Sequence, residues 1–180
     1  MGTIFIAGCY GVGKSTLSNA LSMALAIPAY SASELISHAN GEQYGANKSV
    51  QNKEVNQNIL AIEVWKKLKH YPTILLAGHF CIFNKFNSVE KIPNSIFKKI
   101  SIEQILLLEA SYERIQSNLS IRDNKKYERK HLEIILKEER RGAEEVSQQC
   151  GCNLHIHQMS FDESDLIECR NLLEGEVLGI

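Results

Sequence analysis

The sequence predicts an α/β fold, a three-layer α/β/α sandwich around a parallel sheet of about five strands. Three observations carry this expectation. Short, largely apolar runs at 3–7, 73–78 and 103–108 lack in–out alternation, as strands covered on both faces do. The segments between them place apolar residues at helical spacing. A glycine-rich turn joins the first strand directly to the first helix.

The elements follow in order. Residues 3–7 are a β-branched and aromatic run that ends at Gly8. Residues 14–26 set Leu17, Ala20, Leu21, Ala24 and Leu25 on one helical face, and Pro28 ends that helix. Residues 28–30 suit a second short strand. Ser31 or Ser33 can cap a helix that runs to about residue 39, and Asn40-Gly41 marks a turn. Residues 41–51 are polar and rich in Gly and Asn, hence a loop. A helix over 53–69 is expected to carry Val55, Ile59, Ile62, Trp65 and Leu68 inward. Pro72 restarts the chain into the strand at 73–78. A loop over 84–93, a short helix over 94–99 and the strand at 103–108 come next. Residues 111–119 read as helix, 120–127 as a charged break, and 128–149 as a long amphipathic helix. A last strand at 154–157 and a last helix over 162–173 complete the chain.

With 180 residues and neither repeat nor linker, residues 1–180 are expected to form one domain. Lys and Arg total 20 against 21 Asp and Glu, so net charge gives no reason to expect nucleic acid or an anionic membrane as partner. No apolar run is long enough to span a bilayer. No leader of the secretory kind is visible, and five cysteines without framework spacing suit reduced thiols, so a cytoplasmic location is expected. Cys150 and Cys152 lack the spacing and the second pair of a zinc site. His155 and His157 fall on one face of the last strand, where packing roles suffice.

The chemistry begins at Gly8-Cys9-Tyr10-Gly11-Val12-Gly13-Lys14-Ser15-Thr16, which fits GxxxxGK[ST] between a strand and a helix. Gly8, Gly11 and Gly13 allow sharp turns that aim several N–H groups, Val12's included, into one concavity. The helix N-terminus adds partial positive charge. Lys14 can meet the β- and γ-phosphates of a nucleotide, Ser15 can ligate Mg²⁺, and Thr16 can bond the α-phosphate. This is a P-loop, and it implies a nucleoside triphosphate and Mg²⁺.

P-loop enzymes usually help hold Mg²⁺ with an Asp at a nearby strand end. Here that strand ends Ala77-Gly78-His79, and the first Asp in the chain is Asp123. The metal would rely on Ser15, phosphate oxygens and water, with Glu34 or Glu109 as further candidates. His79 stands close to the expected γ-phosphate. Arginines follow the third long strand, where phosphoryl transfer needs positive charge. Arg114 and Arg122 flank a helix and the break, and Arg140 and Arg141 lie on the next helix. The break reads as a lid over 120–128. Residues 31–58 lie where a phosphate acceptor would bind. They are rich in amides such as Asn40, Gln43, Asn47, Asn56 and Asn58, which suit base edges, and Lys48 and Lys53 could meet an acceptor phosphate.

On these residues the chain resembles the small nucleoside-monophosphate kinases, most of all the compact adenylate kinases of archaea and their nuclear relatives. The phosphate loop, Leu75-Leu76-Ala77-Gly78-His79, Ser111-Tyr112-Glu113-Arg114-Ile115 with Arg122, and residues 132–146 carry the resemblance. It implies γ-phosphate transfer from ATP to a nucleoside monophosphate with Mg²⁺. Lys14, His79, Arg122 and Arg140 would be catalytic, and Arg114 would join the loop in holding the nucleotide. Ala77 departs from the Asp-x-His that usually ends the family's strand. Two alternatives stay open: a kinase of a nucleoside or polynucleotide 5′-hydroxyl, and an ATP-binding regulatory module that acts on a protein partner.

Overall fold

The computed structural model describes residues 2–41, 53–84, 88–123 and 127–175. Five strands form one parallel sheet, in the order β2 (Ala29–Ser31), β3 (Thr73–Ala77), β1 (Gly2–Gly8), β6 (Ile102–Glu109) and β7 (Asn153–Gln158). β1 is central and buried along its whole length, with Phe5 opposite Leu76 of β3 and Ile105 of β6. The chain leaves β1 where neighbouring strands on its two sides are wound in opposite directions, the place where α/β sheets bind ligands.

Helices cover both faces. On one, α1 (Lys14–Leu25) and α7 (Ser164–Glu174) bring Leu17, Leu21, Cys169 and Leu173 against Ile4, Ile6 and Leu106. On the other, α3 (Lys53–Leu68), α4 (Asn94–Lys99) and α6 (Arg129–Cys150) bring Val64, Leu68, Phe97, Ala143 and Val146 against Phe5, Leu76 and Leu107. The three-layer α/β/α P-loop architecture is therefore as the strand pattern predicts. Full burial of each such aliphatic side chain contributes about 1.5–3 kcal/mol. α5 (Tyr112–Asp123) and the first turns of α6 pack Ile115, Leu119, Leu132 and Ile135 over the loop end of the sheet. α2 (Ala32–Ala39) follows β2, with Ser31 at its N-cap. The Ser31 hydroxyl bonds that of Ser33 rather than capping the helix.

Three local expectations are corrected. α3 turns Leu68 inward as expected, but with Val64, while Val55 and Ile62 are exposed and Trp65 is 58% exposed. The helix carries two apolar stripes, and the one at 60, 64 and 68, an i, i+4, i+8 row, faces the sheet. The segment 84–93 is not all loop, because β4 (Cys81–Phe83) pairs antiparallel with β5 (Val89–Lys91). Asn84 and Ser88 close that hairpin by exchanging two hydrogen bonds, of 2.9 and 3.0 Å. α5 continues through the expected break to Asp123, since nothing between Leu119 and Asp123 stops a helix. Residues 120–123 of the expected lid are therefore helical, and 124–126 lie outside the described residues.

Candidate functional site

The phosphate loop begins where β1 meets β6. At Gly8 φ is +143°, and a Cβ would come within 2.4 Å of the Leu108 carbonyl oxygen, so only glycine fits. Gly11 and Gly13 also adopt positive φ, and buried Val12 anchors the turn through its N–H to the Cys9 carbonyl at 3.3 Å. Gly13 is the N-cap of α1 and offers no side chain to it, and the first turn holds no acid. The first amides of α1 are thus left for an anion. Ser15 and Thr16 are exposed at that end.

Lys14 donates to the carbonyl oxygens of Gly8 at 2.7 Å and Cys9 at 3.0 Å. Burial lowers its pKa to about 8, the nearby Glu139 opposes that fall, and Arg122 adds to it. Arg122, in the last turn of α5, is thus close enough for its charge to be felt at the loop. From the same helix, Asn118 donates to the Gly11 carbonyl at 2.8 Å, which ties α5 to the loop.

One wall of the site is aromatic. Tyr10 lies 4.3 Å from the His79 ring and 5.8 Å from Phe83, with which it is stacked. Behind His79 stands Glu139, 2% exposed. Its Oε1 is 3.3 Å from His79 Nδ1 and accepts from the amides of Phe80 and Cys81, each at 3.1 Å. Its Oε2 accepts from Phe80 N at 3.2 Å. Burial alone would raise the carboxyl's pKa. The bond to His79, the Lys14 charge and the Cys81 amide outweigh it and leave the group below its ordinary range. Gly142, one turn on, lets α6 come this close, because a Cβ there would meet Phe80 Cβ at 2.5 Å. The thiols of Cys9 and Cys81 are buried here too. Burial pushes Cys9 up to about 12 and Cys81 well above its ordinary value, with Glu139 adding to both.

The opposite side of the loop is set by the turn after β7. Asp165 accepts from the Ser160 amide at 2.8 Å and the Phe161 amide at 2.7 Å, and its Oδ1 lies 2.8 Å from Nε2 of buried His157. This staple holds Met159 and Phe161 beside Gly13. The Arg114 guanidinium sits 4.5 Å from the Phe161 ring centroid, a cation–π contact.

A family model described as AAA domain matches residues 7–135, most of the chain and all of the loop. The chain belongs to this AAA-domain family. No curated protein matches the sequence at a significant level. Solved structures do. A shikimate kinase from Bacteroides thetaiotaomicron shares 14% identity at a TM-score of 0.62 over 98% of each chain. One from Aquifex aeolicus shares 15% at 0.61 over 99% of each. A gluconokinase from Sinorhizobium meliloti shares 12% at 0.54 over 97% of each. The AAA-domain chain thus has the fold of small P-loop kinases.

Within this AAA-domain chain, the structure brings Gly8 to Thr16, His79 and Arg122 together around the loop, with Arg114 on its flank. Arg140 has a different contact. It makes a two-bond fork with Glu109 at the carboxyl end of β6, at 2.8 and 2.5 Å. Glu109 is thereby engaged, and Glu34 is exposed in the first turn of α2. Among the described residues, no group of three or more His, Cys, Asp or Glu could hold a metal, and no helix is long and apolar enough to cross a membrane. The donor set present fits a nucleotide, and the exposed Ser15 hydroxyl at the start of α1 could ligate Mg²⁺ beside phosphate oxygens. Of the amide-rich acceptor segment, Asn40 bonds Asn56 at 3.4 Å and Asn58 accepts from Lys99 at 3.1 Å. Gln43, Asn47 and Lys48 lie outside the described residues.

Sequence reasoning missed Tyr10, Asn118, Phe161 and Glu139. A signal for Glu139 existed: Leu132, Ile135, Ala143 and Val146 mark the inward stripe of α6, and Glu139 falls on it. An acid on a buried stripe needs a polar partner.

Proposed function

We propose that the protein is an ATP-dependent kinase that transfers the γ-phosphate to a small acceptor bound opposite the phosphate loop. The observation that carries this reading is the loop itself: an uncapped helix N-terminus, the backbone of residues 8–13, and Lys14 converging on one concavity. The amides of Gly8, Gly11, Val12 and Gly13 cradle phosphates, Lys14 meets the β- and γ-phosphates, and Thr16 bonds the α-phosphate. Ser15 holds Mg²⁺, whose role is to neutralise charge on the phosphate oxygens. Arg114 and Phe161 flank the base. Arg122 supplies charge to the moving phosphoryl group. Arg140 would join it only by releasing Glu109. Residues 31–58 are the candidate acceptor region and 120–128 the candidate lid, of which 42–52 and 124–126 lie outside the described residues.

The fold-level likeness to shikimate kinases and a gluconokinase supports a small-molecule acceptor. A nucleoside monophosphate is the second reading, favoured by His79 at the strand end and by the placement of Arg114 and Arg122. ADP release from Mg-ATP against a panel of acceptors, with a no-acceptor control, tests both. Acceptor-dependent release with a phosphorylated product is expected. ATP binding without acceptor dependence would move the reading to a regulatory module with a protein partner.

A further inference from the structure

We propose that His79 and Glu139 work as a general-base pair, and that the acceptor they serve is a hydroxyl group. This rests on the kinase reading and names the acceptor's chemistry.

Geometry comes first. His79 follows the carboxyl end of β3 and lies against Tyr10 of the phosphate loop, the rings tilted by 32° with centroids 4.3 Å apart, so it belongs to the wall of the reaction site. Glu139 reaches it from α6 through Nδ1 at 3.3 Å. A carboxylate on Nδ1 fixes the proton there. In the neutral ring, Nε2 then carries the lone pair. Glu139 is a positioning residue in this scheme.

Its charge needs explaining. Holding the amides of Phe80 and Cys81 requires only acceptor oxygens, which an uncharged amide side chain also has. Burying a carboxylate for that purpose alone is costly. The charge has a use if His79 becomes positive during the reaction, since a buried anion in contact stabilises an imidazolium strongly. The groups shown against this ring are Glu139 from α6 and Tyr10 from the loop, and the charge of Glu139 is felt in turn by Cys9 and Lys14 of the loop and by Cys81 of β4. The Arg122 charge reaches Lys14 and Cys9 from α5.

The acceptor follows from what a base is for. A phosphate acceptor is already an oxyanion and needs positioning rather than deprotonation. It would also approach a buried carboxylate. A hydroxyl holds its proton at neutral pH and needs a base within reach. The acceptor O–H proton passes to Nε2 and the oxygen's electron pair forms the new bond to Pγ. The bond from Pγ to the β-phosphate bridging oxygen breaks, and its electrons leave with the nucleoside diphosphate. The imidazolium then returns its proton to solvent.

Two measurements on the full chain test this. Two-bond ¹H–¹⁵N correlation of the imidazole rings, with His79→Gln for assignment, reads the tautomer without any turnover. The expected result is the Nδ1–H tautomer, with a titration midpoint above the ordinary value of about 6.5. In Glu139→Gln that midpoint should fall by about one unit or more. An Nε2–H tautomer, or a midpoint unmoved by the substitution, would overturn the pair. Should Glu139→Gln not fold, the tautomer of the unmodified protein still decides.

The second is product formation from Mg-ATP with shikimate, gluconate and adenosine as hydroxyl probes, and AMP, GMP, CMP and UMP as phosphate probes. Turnover of a hydroxyl probe is expected, with an acid limb of kcat that moves to lower pH in Glu139→Gln while the KM for ATP stays within about threefold. Turnover of monophosphates alone would overturn the hydroxyl assignment and leave the kinase reading intact. ATP binding with no product from any probe would overturn the kinase reading, and this proposal with it.

Discussion

The Lys14 ammonium donates to the carbonyl oxygen of Gly8, six residues back, at 2.7 Å. The loop therefore satisfies its own lysine, and a nucleotide must replace those bonds with phosphate oxygens. A charged hydrogen bond contributes about 1.5–3 kcal/mol, so Lys14→Ala should weaken ATP binding roughly 10- to 150-fold by titration calorimetry. The same change should not lower the melting temperature of the nucleotide-free protein, because burial already disfavours the ammonium there. Unchanged ATP affinity would refute the loop's role.

Arg122 separates binding from transfer. Its charge is needed mainly when negative charge spreads over the moving phosphoryl group. Arg122→Ala should cut kcat by about 100-fold and change the ATP dissociation constant by less than about threefold. Equal losses in both would remove it from the transition state.

Ala77 occupies the position where P-loop kinases usually carry a metal-linked acid. It is buried and pairs in register with Ile6 and Ser31. A carboxylate introduced there lacks water, so Ala77→Asp should lower the melting temperature without metal. Mg-ATP should restore part of that loss and steepen the metal dependence of turnover. An unchanged metal response would show that this strand end does not face the metal.

Acid should weaken the fold through two carboxylates. Burial opposes ionisation at both, but hydrogen bonds from His79 and Cys81 at Glu139, and from Ser160, His157 and Phe161 at Asp165, leave both below their ordinary values. A depressed folded pKa means that the unfolded chain binds more protons. The stability is complete above the ordinary values of 4.5 and 3.8 and is lost as pH falls through the folded ones. Melting temperatures from pH 7 to pH 3 should fall less steeply for Asp165→Asn than for the parent protein. Parallel curves would deny the linkage.

Much of this was legible in the chain. The β1 run, the loop and α1 are encoded locally, so Gly8 to Thr16 could be placed from spacing alone. The face of α3 could not, because Val55, Ile62 and Trp65 line up with Leu68 as convincingly as Leu60 and Val64 do, and only the sheet chooses. The β4–β5 hairpin is three residues a side, too short for alternation to show. Glu139 was the harder loss. Its partners, His79, Phe80 and Cys81, lie about sixty residues away, and no local pattern links them.

The buried thiols have a practical consequence. A thiol reacts as its thiolate, and at neutral pH Cys9 and Cys81 hold almost none, besides being shielded from reagents. Cys150 and Cys152 are partly open and should alkylate first. Any later modification of Cys9 or Cys81 must wait for the nucleotide site to come apart. Its rate is a clock for that opening, and a molecule seated on the loop should slow it.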